Sequence, residues 1–252
     1  MNGAAKTMIE ARDLTVGYGG RPVLERINFE VHRGEVLAIL GASGSGKSTL
    51  LKHLIGLYQP IEGDVLITGE SLVQAEGDER LRLLRRFGVL YQGGALFGSL
   101  TTVENVRLPL DEFTDLSEMA KDLVALSKLR LVGLESAATK LPADLSGGMQ
   151  KRAGIARAIV MDPCILFLDE PSAGLDPITS AGLDALIREL AHGLGLTFLM
   201  VTHELASIYS VADRVIMLDP QVRGIVAEGP PAWLRDHAAQ PWVRRFLNRA
   251  VA

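Results

Sequence analysis

Short, unbroken apolar runs punctuate the chain. EVLAIL (Glu35–Leu40), the ILFL of CILFLDE, the FLMV of LTFLMVTH and the VIML of DRVIMLD are too short for typical helices and apolar at nearly every position. That pattern marks strands buried on both faces, as in a parallel sheet. Lys47–Leu57, Asp78–Arg86 and Ala181–Gly193 read as helices between them. GDVLITG (Gly63–Gly69) and FGVLYQ (Phe87–Gln92) add two further strands, the second ending at a loop. Strand and helix alternating in this way predict an α/β fold with crossover helices. Two stretches depart from the alternation. Ile9–Val31 is β-like, with a turn at Gly19-Gly20. From about Thr102 to Val160 the chain reads as mostly helical with a break at Leu141-Pro142, which predicts a separate lobe inserted into the sheet domain. From Gly229 onward it reads helical again.

Candidate chemistry sits at the ends of these strands. GASGSGKS (Gly41–Ser48) fits G-x-x-x-x-G-K-[ST], follows a buried strand and opens a helix. In such a loop Gly41, Gly44 and Gly46 let backbone N–H groups, with those of Ala42, Ser43 and Ser45, turn inward around phosphate oxygens. The helix N-terminus at Lys47, Ser48 and Thr49 adds its positive end. Lys47 is expected to reach the β- and γ-phosphates and Ser48 to help hold Mg²⁺. In ILFLDE (Ile165–Glu170) an apolar strand ends in two carboxylates. Asp169 is expected to bind Mg²⁺ through water and Glu170 to polarise the attacking water. On an extended chain the two would point to opposite sides.

Composition narrows the partners. The 26 basic and 30 acidic residues leave a formal charge of -4, which disfavours a broad nucleic-acid surface. The single cysteine, Cys164, excludes an intramolecular disulfide and reads as a buried core thiol. The N-terminal MNGAAKTMIEARD lacks the apolar run of a signal peptide, and no stretch is apolar enough for a transmembrane helix. Any role at a membrane must therefore come through a partner.

Between the phosphate loop and the carboxylate pair of ILFLDE lies DLSGGMQKRAGIARA (Asp144–Ala158). Ser146 reads as an N-cap, and Gly147 and Gly148 leave N–H groups exposed at the start of a helix. LSGGM resembles the LSGGQ signature of the ATP-binding cassette (ABC) superfamily. That resemblance implies a RecA-like P-loop NTPase core with an N-terminal antiparallel β-subdomain and an inserted helical subdomain at about 95–160. The ATPase domain would span 8–229, followed by a helical tail at 230–252. It implies ATP and Mg²⁺ as cofactors. It also assigns positions: Tyr18 in VGYGG stacks on adenine, and Gln92 senses Mg²⁺ and water and relays to a transporter. Asp176 closes SAGLD (Ser172–Asp176), the loop that crosses between protomers, and His203 in VTHE contacts the γ-phosphate. Lys47, Gln92, Glu170 and His203 are then the catalytic set, and Ser48, Gln92 and Asp169 the metal set. Ser146, Gly147 and Gly148 would face the γ-phosphate held by a second copy, in a head-to-tail homodimer. Met149 departs from the signature, where glutamine is usual.

After Gln92 the chain reads GGALFGSLTTVENVRLPL (Gly93–Leu110). With KRAGIARA and the C-terminal PWVRRFLN, it resembles the Mla/Mce-type lipid-transport branch. That branch implies an integral membrane permease of the MlaE type and an MCE-domain substrate-binding protein, which a STAS-domain regulator often joins. The cargo would be phospholipid or another hydrophobic molecule, and the location the cytoplasmic face of the inner (plasma) membrane. GGALF could instead be a buried loop fitted against the helical lobe. An importer ATPase for polar amino acids or ions shares every nucleotide motif, and a soluble non-transport ABC ATPase is a third reading. Trp233, Trp242, Phe246 and Leu247 either pack on their own subunit or reach its mate.

Overall fold

The computed structural model describes residues 6–248; Met1–Ala5 of the N-terminal stretch and 249–252 of the expected tail lie outside the described residues. The chain builds two sheets. The first is antiparallel: β1 (Thr7–Tyr18), β2 (Arg21–His32), β4 (Glu62–Ile67) and β5 (Glu70–Ser71) stand in the order β2-β1-β4-β5. The second holds β3 (Val36–Gly41), β6 (Phe87–Leu90), β7 (Ile165–Asp169), β8 (Thr197–Val201), β9 (Arg214–Asp219) and β10 (Gly224–Gly229). Its order is β10-β9-β3-β8-β7-β6, parallel throughout except for the β10–β9 pair.

The unbroken apolar runs are explained by burial on both faces. In β3, Val36, Ala38 and Leu40 join one hydrophobic layer while Leu37 and Ile39 join another. β7, β8 and β9 divide in the same alternating way, as the two-residue period of a strand requires. One layer lies between the two sheets and takes in Leu50, Leu51 and Leu54 of helix α1 (Lys47–Leu54). The other is covered by helices, among them α5 (Gly147–Ala158) and α6 (Pro177–Leu194).

The helices differ in detail from the reading of the sequence. α1 stops at Leu54, three residues early, because Gly56 turns left-handed. α2 occupies Gly77–Leu84. The long helical stretch is three helices: α3 (Thr102–Phe113), α4 (Glu118–Leu131) and α5, separated by two short 3₁₀ turns and by the caps Ser117 and Ser146. α6 begins four residues before the expected Ala181, since Asp176 caps it and Pro177 opens it. α7 (Leu205–Val211) and β10 had no clear sequence pattern. The C-terminal part forms α8 (Pro231–His237) and α9 (Pro241–Asn248). Leu247 and Val243 are buried in the helix-covered layer of this chain and Trp242 and Phe246 pack against it, while Trp233 is exposed and stacks on His237. Cys164 is half-buried at the margin of the inter-sheet layer, short of the core position expected for it.

Two glycines should respond to substitution with opposite signs. A Cβ on Gly88 in β6 would collide with the Ala158 carbonyl, and backbone cannot step aside. Gly88→Ala is expected to lower stability by about 3 kcal/mol, the upper end for overpacking, and Tm by roughly 6–12 °C. Gly193, inside α6, has open space around it, and Gly193→Ala should raise stability by roughly 0.5–1 kcal/mol. Thermal unfolding of both variants checks the pair.

Candidate nucleotide site

Strand order gathers groups that are far apart in sequence. β3, β8, β7 and β6 are consecutive parallel neighbours. Their carboxyl ends lead in turn to the phosphate loop, to His203, to Asp169 and Glu170, and to Gln92. Open α/β sheets bind ligands at this edge.

The phosphate loop needs its glycines for two reasons. At Gly41 a Cβ would run into the Ser45 hydroxyl, and at Gly46 it would lie 2.9 Å from Leu24 Cγ with the backbone in the left-handed region. Ala42, Ser43, Gly44 and Ser48 are exposed, Thr49 is half-buried, and Ser45 is buried with its hydroxyl unpartnered among the described residues. Lys47 folds back over the loop, Nζ donating to the carbonyls of Gly41 (2.9 Å) and Ala42 (3.0 Å). Burial lowers its pKa; the charges of Glu170 and Asp169 pull the other way. No acidic side chain occupies the first turn of α1, so its positive end is uncompensated. A cleft of ≈ 190 Å³ lies along Gly44–Thr49.

Asp169 ends β7 and Glu170 follows in the left-handed region (φ 48°), an unusual conformation for a non-glycine residue. This corrects the expected extended alternation: the two carboxylates are set apart by a backbone turn, pinned by the Glu170 N–H donating to Val201 O at 2.8 Å. Glu170 is only 9% exposed. One of its oxygens, Oε1, meets His203 Nδ1 at 2.9 Å, while Oε2 has no partner among the described residues. Asp169 Oδ1 is likewise buried and unpartnered. Burial raises the Asp169 pKa, helped by Glu170, while Lys52, Lys151 and Lys47 oppose it. Unpartnered carboxylate oxygen together with the exposed Ser48 hydroxyl is the hard donor chemistry that Mg²⁺ takes, so the residues fit that ion.

Three residues that the sequence reading left without a role organise the loop after β6. β6 ends at Leu90, and Gln92 stands two residues beyond it with its side chain exposed. Lys151 of α5, 5% exposed, donates to the carbonyls of Gln92 and, at 3.2 Å, Glu170. Its pKa is lowered by burial against the pull of Asp169 and Glu170. Arg157, two turns on, donates to Gly94 O and Ala95 O, both at 2.8 Å. Asn105, fully buried in α3, bonds both ways with the backbone of Phe97. GGALF is thus held at its backbone against α5, with Gly94 buried and Phe97 exposed. The available signal is the set of three cations in KRAGIAR, on a helix otherwise rich in buried residues.

The remaining expected residues fall in two places. Tyr18 is 43% exposed, its ring edge-on to Tyr58 (5.2 Å) and 6.0 Å from His53. Ser146 caps α5 by accepting from Met149 N–H at 3.3 Å. Gly147 and Gly148 lie against Leu175 and Thr179; a Cβ on Gly148 would collide with the Thr179 methyl. The Asp176 carboxylate is engaged as the cap of α6, accepting from Ile178 N and Thr179 N at 3.1 Å. Within one chain, then, Lys47, Asp169, Glu170 and His203 form one group, and Ser146–Gly148 form another with the Ser172–Asp176 loop. Met149 packs against the helix-covered core rather than offering a polar group.

Comparison with known proteins agrees with this layout. The ABC transporter family profile matches residues 24–173. The "probable ribonucleotide transport ATP-binding protein mkl" of Mycobacterium leprae is 41% identical over 95% of this chain and 68% of its own length, so this chain spans about two thirds of that relative. The "intermembrane phospholipid transport system ATP-binding protein MlaF" of Escherichia coli is 37% identical over 98% of this chain and 91% of its own. Among solved structures, cbiO1 of Clostridium perfringens superposes with a TM-score of 0.84 at 27% identity, covering 98% of this chain and 94% of that one. A dimeric post-hydrolysis cassette, MJ0796 bound to ADP and phosphate, gives 0.79 at 32% identity over 88% and 98%. The phosphate loop at the head of α1, the carboxylate pair ending β7 and the glycine signature opening α5 thus stand in a chain that belongs to the ABC transporter family, as an ATP-binding subunit.

Proposed function

We propose that this chain hydrolyses ATP as a head-to-tail homodimer and drives a membrane permease of the MlaE type that moves phospholipid or a similar hydrophobic molecule. Residues 8–229 form the ATPase domain, with its helical subdomain at about 95–160, and 230–252 the tail. The observation that carries the cargo assignment is the similarity to the phospholipid-transport ATPase, which runs through almost the whole of both chains. The mycobacterial relatives carry a ribonucleotide name, but they extend well beyond the matched region.

The chemistry follows from the placement of the groups. Lys47 and the N–H groups of 41–49 neutralise and orient the triphosphate, and Tyr18 stacks on the adenine. Ser48, Gln92 and Asp169 would hold Mg²⁺, which supplies charge neutralisation at the β- and γ-phosphate oxygens when bound. His203 holds one oxygen of Glu170; the unpartnered Oε2 is left to accept a proton from the attacking water. Ser146, Gly147 and Gly148 of a second copy close the pocket over the γ-phosphate, with the Asp176 loop beside them. Half of the pocket therefore comes from each subunit, and closure is a two-state element that can do work on a partner.

The permease docks in an apolar cleft of ≈ 450 Å³ that includes Tyr91, Ala95, Phe97, Pro109, Phe113 and Met161. It lies just after Gln92; Arg157 ties its wall at Ala95 to α5, and Lys151 of the same helix holds the backbones of Gln92 and Glu170. An MCE-domain protein and a STAS-domain regulator complete the assembly, at the cytoplasmic face of the inner membrane. Among the described residues no helix is long and apolar enough to cross a membrane.

Purification from membranes with mass spectrometry of bound lipids tests the cargo. A permease with co-purifying phospholipid is expected; a permease whose partner proteins capture nucleotides or polar solutes would sink the lipid assignment. Glu170→Gln should lower phosphate release by about 10²–10⁴-fold while ATP still binds, yielding a dimer on size exclusion with ATP; turnover near wild type would remove Glu170 from the base role. Phe97→Glu, at an exposed position, should weaken permease association and leave ATP affinity unchanged, as read by pull-down and nucleotide titration.

A further inference from the structure

A cleft of ≈ 250 Å³ opens between α6 and α7 beside the Ser172–Asp176 loop. Ser180 and Asp184 project into it from one face of α6, four residues apart. Ser207 and Ser210 line it from α7, Ser172 from the loop after Glu170, and Glu204 at the start of α7. Asp184 is 3% exposed, and its Oδ1 has no hydrogen-bond partner among the described residues. The Ser207 hydroxyl lies 3.2 Å from that of Ser172 and 3.5 Å from that of Ser180.

A buried carboxylate is costly unless a positive charge lies within reach. Two charged side chains face it: Arg188, exposed one turn further along α6, and Glu204, of the same sign, already 3.6 Å from His203 Nε2. Burial pushes the carboxyl pKa up; the Ser207 hydroxyl and Arg188 draw it back, and Glu204 pushes it up again.

We propose that this cleft is a binding site for an alkali-metal cation, held by the Asp184 carboxylate and the hydroxyls of Ser172, Ser180 and Ser207. Every donor is a hard oxygen. A single buried carboxylate suits a monovalent ion, since divalent ions held by protein alone gather more carboxylates. The Ser207 hydroxyl is within hydrogen-bond distance of those of Ser172 and Ser180, so the three oxygens converge beside the unpartnered Asp184 Oδ1 and can turn lone pairs toward an ion. The ion would join the loop that follows Glu170 to the helix that follows His203, fixing the two side chains that meet at 2.9 Å. This assignment is independent of the transported cargo.

The test is thermal unfolding of the nucleotide-free protein with EDTA, at equal ionic strength in sodium, potassium or choline chloride. Wild type should melt about 3–5 °C higher in sodium or potassium at tenfold over its Kd. Asp184→Asn should melt alike in all three salts. Equal melting of the wild type in all three salts, or an undiminished shift in Asp184→Asn, overturns the site. Should Asp184→Asn fail to fold, wild-type crystals grown in rubidium chloride decide. An anomalous peak at the Asp184 carboxylate is expected; an ordered water only would refute the assignment.

Discussion

A triphosphate carries concentrated negative charge, and this chain meets it where backbone N–H groups and side-chain cations converge at one sheet edge. The loop between β3 and α1 can curl around an anion only because Gly41 admits the Ser45 hydroxyl and Gly46 turns left-handed against Leu24. The rest of the fold serves that loop. Burial of β3 on both faces makes its end rigid, and the neighbouring strands deliver Asp169, Glu170, His203 and Gln92 beside it. Rigidity at this edge matters because electrostatic catalysis depends on groups fixed before reaction.

Helix α5 binds the site together from beneath. Its N-terminus carries the exposed Ser146 and Gly147, while its middle buries Lys151 and its last turn lays the half-buried Arg157 against the loop after β6. A buried lysine donating to backbone carbonyls on both the Gln92 and Glu170 segments makes their relative position hard to change independently. Any rotation of α5 that presents Ser146–Gly148 to another subunit must carry the Gln92 loop with it. Gly154 permits this closeness, since a Cβ there would come within 2.5 Å of Leu90. The carboxylate segment and the wall of the apolar cleft proposed for docking are therefore held to one helix.

Much of this was legible in the sequence, and the reasons are local. The phosphate loop, the β7 carboxylates and the Ser146 cap each announce themselves through spacing, because a helix start or strand end fixes its chemistry within a few residues. The unbroken apolar runs gave the parallel strands for the same reason. What escaped depends on long-range contacts. The cations of KRAGIAR mark Lys151 as unusual, but no local pattern says that it reaches Gln92, 59 residues earlier, nor that Asn105 is buried beneath the loop it organises. The left-handed turn at Glu170 comes with a hydrogen bond to Val201 on the neighbouring strand, a contact between residues far apart in sequence that no local pattern in ILFLDE predicts. α7 was missed because its seven residues mix polar and apolar positions with no capping side chain.

In the proposed dimer each nucleotide pocket is shared by two chains, the loop at Lys47 in one facing the signature at Ser146 in the other. Mixing Lys47→Ala protein with Ser146→Arg protein tests this sharing. Each variant alone should be inactive, because both of its pockets carry the same defect. A mixed dimer holds one pocket with both halves intact, so ATP hydrolysis should reappear on mixing. A mixture as inactive as its components, although mixed dimers are present, would mean that the two chains do not complete one another's pockets.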